Sequence, residues 1–208
     1  DWNYATNENL FAMDSLFTYR PEEKPGNEAI QIISSGPDSK WQNIRNVYLK
    51  MISKARKNIY IQTPYFIPDS AVLDSLRIAA MSGVDVRVMI PCKPDHPFVY
   101  WATYSYIGDL LAAGVKCYTY HNGFLHAKGM VVDGLVSCYG TANMDIRSFK
   151  LNFEVNAVIY SARVARRMEN IFREDLKVCT QVTEYLYGKR SYGVRIKEQF
   201  SRLFSPVL

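Results

Sequence analysis

Residues 129–140 read GMVVDGLVSCYG. Two short apolar runs flank Asp133-Gly134, and an Asp-Gly pair between such runs signals a tight hairpin, because both residues tolerate the positive φ that the turn requires. Upstream the chain alternates. Residues 58–63 (NIYIQT) predict a strand, 69–82 a helix, 84–90 (VDVRVMI) a strand, 98–113 a helix and 115–120 a strand. Further up, residues 30–34 (IQIIS) predict a strand and a helix follows, with Ser39 expected as its N-cap. The apolar positions of that helix, Ile44, Val47, Tyr48, Met51, Ile52 and Ala55, recur with the helical period and mark a core stripe. Downstream come a strand over 152–160 (NFEVNAVIY), a helix over about 162–177 and a basic helical segment near the end. Strand–helix units followed by an antiparallel hairpin imply an α/β fold, a mixed β-sheet flanked by helices on both faces.

Composition sets the frame for function. The chain has 208 residues, 48% hydrophobic and 22% charged, which is enough apolar matter for one sizeable core and too much for a disordered segment. Residues 1–28 lack sustained periodicity and read as a connector from an N-terminal half that precedes Asp1, leaving 29–208 as the domain. No run approaches the 18 to 20 apolar residues of a membrane-spanning helix. The net charge is +5, and its placement is uneven: residues 161–208 hold ten basic and five acidic side chains, and the rest of the chain holds fifteen of each. A local basic tail argues against a nucleic-acid coat and suits an anionic membrane surface. The four cysteines are far apart with no CxxC pair, so reduced, packed thiols are expected.

The chemistry concentrates in HAKGMVVDG (126–134) and GTANMDIRS (140–148). If residues 125–132 form a strand, His126 and Lys128 project from one face. An imidazole beside an ammonium is equipment for phosphate: lysine neutralises non-bridging oxygens while histidine attacks phosphorus or moves a proton at a bridging oxygen. Gly140 is expected to let backbone approach a ligand closely. Asn143 would add an uncharged donor, and Glu154 on the next strand is placed to hold the second ring nitrogen of His126.

The pattern HxKxxxxDG followed by GxxN resembles the HKD signature of the phospholipase D superfamily. Thr63–Phe66 with the following Ile-Pro (TPYFIP), residues 1–6 (DWNYAT), 152–156 (NFEVN) and 204–208 (FSPVL) are similar to bacterial cardiolipin synthases, and together these stretches span nearly the whole chain. The resemblance implies a phospholipase D-like fold and phosphodiester transfer through a phosphohistidine, without metal or other cofactor. It implies two HKD motifs, one histidine acting as nucleophile and the other as acid and base. For a cardiolipin synthase it implies phosphatidyl transfer between two phosphatidylglycerol molecules, giving cardiolipin and glycerol at the cytoplasmic face of a bacterial membrane. His126 matches the C-terminal motif, whose histidine is expected to be the acid and base. Asp133 belongs to the signature as well, although an aspartate before glycine is also the preferred turn residue, and its role is expected to be mainly structural.

Only one motif is present: His96 and His121 have no lysine two residues on. The partner half is therefore expected upstream, although some superfamily nucleases pair two identical single-motif chains as a homodimer. The alternative activity is a phospholipase D or nuclease that uses water as acceptor. His121 and His126 lack nearby cysteines or a carboxylate cluster, which argues against a metal site. His96 sits in a Pro-Asp-His-Pro loop that either borders a lipid entrance or only makes a turn. Arg147 and Ser148 follow the motif and are placed to support the phosphate loop, although Ser148 could equally cap a turn. The aromatic stretch Phe98, Tyr100, Trp101, Tyr104 and Tyr106 reads as core or as an interfacial belt. The tail, with Lys189, Arg190, Arg195, Lys197 and Arg202 among apolar residues, reads as a domain-closing helix or as one lying on anionic lipid.

Overall fold

Apolar alternation along the strands builds the sheet from both sides. In β2 (Asn58–Gln62), Ile59 and Ile61 enter one core layer while Tyr60 enters the other. β4 (Asp85–Pro91) divides likewise, with Val86, Val88 and Ile90 on one side and Met89 opposite. The computed structural model describes residues 26–93 and 95–206. The connector expected over 1–28 lies almost wholly outside them.

Eight strands form one mixed sheet in the order β1-β9-β7-β6-β2-β4-β5-β10. Here β1 is Ala29–Ser35, β5 Lys116–Tyr120, β6 Gly129–Val132, β7 Val136–Gly140, β9 Glu154–Tyr160 and β10 Cys179–Val182. β2, β4 and β5 run parallel, and the neighbours on either side pair antiparallel. A separate parallel pair joins β3 (Phe66–Ile67) to β8 (Met144–Asp145). One sheet face carries α1 (Asn43–Lys54), α2 (Ser70–Met81) and α3 (Pro97–Leu111), whose Ile44, Tyr48, Ile52, Val72, Leu76, Ile107 and Leu110 are buried. The other face carries α5 (Ala162–Asp175), which lays Phe172 on Tyr60 with ring centroids 4.8 Å apart. The expected α/β architecture with helices on both faces is the one observed. Short helices α4 (Ile146–Lys150) and α6 (Glu184–Gly188) precede the last helix, α7 (Tyr192–Arg202).

Two local expectations are corrected. Ser39 does not cap α1. The helix starts at Asn43, and the Ile44 N–H donates to Ser35 Oγ at 2.9 Å, so a serine at the end of β1 caps it across the fold. The strand expected over 125–132 begins only at Gly129, because residues 125–128 approach the sheet as extended loop.

The hairpin forms as expected. Asp133 and Gly134 have φ of 56° and 62°, and Leu135 N–H closes the turn on the Val132 carbonyl at 3.0 Å. The Asp133 carboxylate accepts from the backbone N–H groups of Arg56, Lys57 and Asn58 at 2.8, 2.7 and 2.9 Å. It thereby fixes the entry of β2 beside β6. All four cysteines are free thiols, with Cys117 and Cys138 buried. Among the described residues no helix is long and apolar enough to cross a membrane.

Candidate active site

Parallel strands end together, and ligand crevices in open α/β sheets form outside those ends. The C-terminal ends of β2 and β4, the approach to β6, the end of β7 and the start of β9 all meet at one edge. Gly140 N–H donates to the Lys128 carbonyl at 3.2 Å, which brings the His-x-Lys segment beside the GTAN segment. The same edge holds TPYFIP. Thr63 Oγ donates to the Tyr65 carbonyl at 2.8 Å and accepts from Met144 N–H at 3.1 Å, so the two loops brace each other.

His126 is exposed, and its ring lies 5.7 Å from that of Phe124. Lys128 is half-buried, and its ammonium donates to the His126 carbonyl at 3.0 Å. Burial lowers the Lys128 pKa below the ordinary lysine value, and the charges of Glu154, Asp145 and Asp95 oppose that shift. The segment therefore presents one imidazole and one ammonium, neighbours along the chain, at the sheet edge beside Gly140.

Asn143, Asp145 and Ser148 form a rigid loop. Asp145 caps α4 through Ser148 N–H at 2.6 Å, and Ser148 Oγ accepts from Asn143 N–H at 3.2 Å. The Asn143 amide also hydrogen-bonds the Asp145 carboxyl. An amide carries two N–H groups, so one is left for a phosphate oxygen. Asn143 lines a cleft of about 390 Å³ with Tyr65, His96, Phe98, Asp145 and Arg147. His96 lines the same cleft and also directly precedes Pro97, where α3 begins. Tyr65 OH donates to Asp95 at 2.5 Å, and burial and that carboxylate push its pKa up to about 12.

Several expected arrangements differ. Among the described residues no hydrogen bond joins Glu154 to His126. The Glu154 carboxylate instead accepts from Asn152 Nδ2 at 3.2 Å, and its charge acts on Lys128. Asp133 lies at the far end of β6 from His126, occupied by three backbone amides. Gly140 is required by its neighbours rather than by a ligand, because a Cβ there would collide with the Val155 carbonyl and Asn156. Arg147 lines the cleft and its Nε donates to Asn152 Oδ1 at 3.3 Å. His121 follows β5, with Nε2 3.4 Å from Thr119 Oγ. Asp145, buried and central, was not singled out from sequence, although Asp-x-x-Ser at the end of GTANMD has the form of a helix N-cap.

Asp145 has a measurable consequence. Its pKa is pushed up to about 6, chiefly by burial, while the bonds from Ser148 and Asn143 act against the shift. The unfolded chain ionises this carboxyl near 4, so between about 4 and 6 the folded state holds the extra proton. The stability contributed is full below about pH 4 and is lost as pH rises through about 6, by about 3 kcal/mol. Asp145→Asn keeps the capping oxygen and is expected to flatten this part of the curve in urea denaturation between pH 4 and 8. An unchanged slope in the variant would assign the dependence to other groups.

A family model described as "Cardiolipin synthase, PLD-like domain" matches residues 48–176. Over its whole length the chain is 54% identical to the major cardiolipin synthase ClsA of Bacillus subtilis and 53% identical to the cardiolipin synthase of Oceanobacillus iheyensis, covering 43% of each. It thus spans less than half the length of these curated relatives. Among solved structures it is similar to the phospholipase D family member Nuc from Salmonella typhimurium, with a TM-score of 0.64 at 21% identity, covering 76% of this chain and 100% of that one. The phosphatidylserine synthase of Haemophilus influenzae gives a TM-score of 0.69 at 14% identity, over 88% of this chain and 49% of that one. At these identities the two structures speak to the fold alone.

Proposed function

The chain belongs to the cardiolipin synthase family of phospholipase D-like domains, and from that premise we propose that it is the C-terminal catalytic half of such an enzyme. The reading is supported above all by the Gly140 to Lys128 backbone bond, which sets the His-x-Lys and GTAN segments side by side at the sheet edge. In this proposal Lys128 and the free N–H of Asn143 hold the non-bridging oxygens of a phosphatidylglycerol phosphate. A histidine from the other half of the protein attacks phosphorus. The bond from phosphorus to the glycerol headgroup oxygen breaks, and His126 gives that oxygen its proton, so glycerol leaves. The headgroup hydroxyl of a second phosphatidylglycerol then returns a proton to His126 and attacks phosphorus. The phosphorus–nitrogen bond breaks, which frees the first histidine and completes cardiolipin.

Glu154 acts on Lys128 in this scheme, keeping the ammonium charged despite its burial. Asp133 holds the strand that carries the motif. The site works at the cytoplasmic face of a bacterial membrane, on anionic lipid and with no cofactor. The test is reconstitution with a separately produced N-terminal half on phosphatidylglycerol vesicles in the presence of a chelator. Glycerol and cardiolipin are expected in equal amounts from the mixture, and neither from the chain alone. Phosphatidic acid without cardiolipin would make the protein a hydrolase. Full activity from the chain alone would mean that identical chains pair.

A further inference from the structure

Helix α7 has its faces reversed relative to a helix that only closes a domain. Its inward side, against α3, is polar. Glu198 and Ser201 are buried, Arg202 Nη2 meets Asp109 Oδ2 at 2.7 Å, and Arg202 Nη1 donates to the Ser105 carbonyl at 3.2 Å. The Arg202 guanidinium also lies 4.2 Å from the Tyr106 ring centroid, and Tyr106 OH donates to Ser205 Oγ at 2.9 Å. The outward side is apolar: Tyr192 is 78% exposed, Ile196 52%, Phe200 54% and Leu203 75%.

At 100° per residue these four fall within about 80° of the helix circumference, with Arg195 and Lys197 about 60° beyond its two borders. Packing normally turns such a stripe inward, and a contiguous exposed one marks an interaction surface. Cations on both borders of an apolar stripe are the pattern of a helix lying in the interface of an anionic bilayer. The surface is continuous with the cleft. Phe98 lines that cleft beside Asn143 and Asp145, and its ring meets Phe200 and Phe204 edge-on at 6.4 and 5.6 Å.

We propose that α7 lies in the interfacial layer of an anionic phospholipid membrane, with Tyr192, Ile196, Phe200 and Leu203 among the acyl chains and Arg195 and Lys197 at the headgroups. The Phe98 side of the cleft then faces the lipid, and a phosphatidylglycerol phosphate reaches Lys128 without leaving the headgroup layer. The inference rests on the reading of the cleft as a phospholipid site.

Two variants test it in vesicle sedimentation. Tyr192→Ser with Ile196→Ser and Leu203→Ser is expected to weaken binding to phosphatidylglycerol vesicles more than tenfold at an unchanged melting temperature, since all three side chains are exposed and Phe200, whose ring packs on Phe98 and Phe204, is kept. Arg195→Glu with Lys197→Glu is expected to abolish the preference for phosphatidylglycerol over phosphatidylcholine vesicles. In a third variant, Leu203→Trp, the added fluorescence should shift blue on phosphatidylglycerol vesicles and be quenched by brominated acyl chains. Unaltered binding by the triple variant would overturn the proposal. So would added fluorescence in Leu203→Trp that is already blue without lipid and insensitive to brominated chains, because protein, from the other half or a second copy, would then cover the face. His126→Ala is expected to bind vesicles as the parent does. Stripe-dependent binding without cardiolipin formation by the reconstituted enzyme would sink the site and spare the surface. Cardiolipin formed from detergent-dispersed lipid, with unaltered vesicle binding by the triple variant, would do the reverse.

Discussion

His126→Ala is expected to lower glycerol release from phosphatidylglycerol about a thousandfold in the reconstituted enzyme while leaving the fold intact. A positioned acid and base contributes about 10² to 10⁴ in rate, and here one imidazole serves both steps. The side chain is exposed, and among the described residues no hydrogen bond involves its ring, whose one ring contact is with Phe124 at 5.7 Å. Its removal should therefore change stability by no more than about 0.5 kcal/mol. Glycerol assays and thermal melts of parent and variant check both halves of the statement. Activity within tenfold of the parent would remove His126 from the reaction.

Gly140→Ala is expected to cause the largest loss of stability from a single methyl group. Gly140 ends β7 opposite Asn156 of β9, and a Cβ there would collide with the Val155 carbonyl and with the Asn156 backbone and side chain. Backbone cannot rotate aside as a side-chain tip can, so the strands must part. Overpacking of this kind costs about 1 to 3 kcal/mol and at times more. For a chain of this size that is a fall in melting temperature of about 2 to 12 °C. Activity should fall as well, because Thr141 N–H and Ala142 N–H are tied to Val155 and Asn156 at 3.0 and 3.2 Å and carry Asn143 with them. Gly193, around which open space leaves room for a methyl group, is the control: Gly193→Ala should not lower the melting temperature. A Gly140→Ala melt like the parent's would mean that β9 gives way at little cost.

The strand–helix alternation was legible because each long element carries its own period. Val86, Val88 and Ile90 alternate as a strand must, and Ile44, Tyr48, Met51 and Ile52 recur as a helix must. The Asp133-Gly134 turn was legible because its conformation is local. What escaped is set by distant partners. β3 and β8 have two residues each and exist because Phe66 pairs with Met144 and Ile67 with Asp145. The cap of α1 comes from Ser35, eight residues before the helix begins, so the nearer Ser39 was the wrong choice. The site shows the same division. His126, Lys128 and Asn143 stand out by residue type and spacing. The buried Asp145 does not, since its perturbed carboxyl arises from burial in the folded chain, against the bonds from Ser148 and Asn143. The expected Glu154–His126 bond failed for that reason too: one polar row along a strand gives the side on which Glu154 projects, not the neighbour its carboxylate meets. The reversed faces of α7 could not be read from periodicity, which gives an apolar stripe but not the direction in which it points.

The most direct test of the central claim, that His126 moves protons while another histidine carries the phosphatidyl group, uses a phosphatidyl donor with a nitrophenolate leaving group. Such a leaving group departs without protonation. With the reconstituted His126→Ala enzyme, the account predicts a burst of about one nitrophenolate per site, followed by a stall with the phosphatidyl label held on the N-terminal half. No burst from the variant, together with label recovered on His126 in the parent, would contradict it and make His126 the nucleophile.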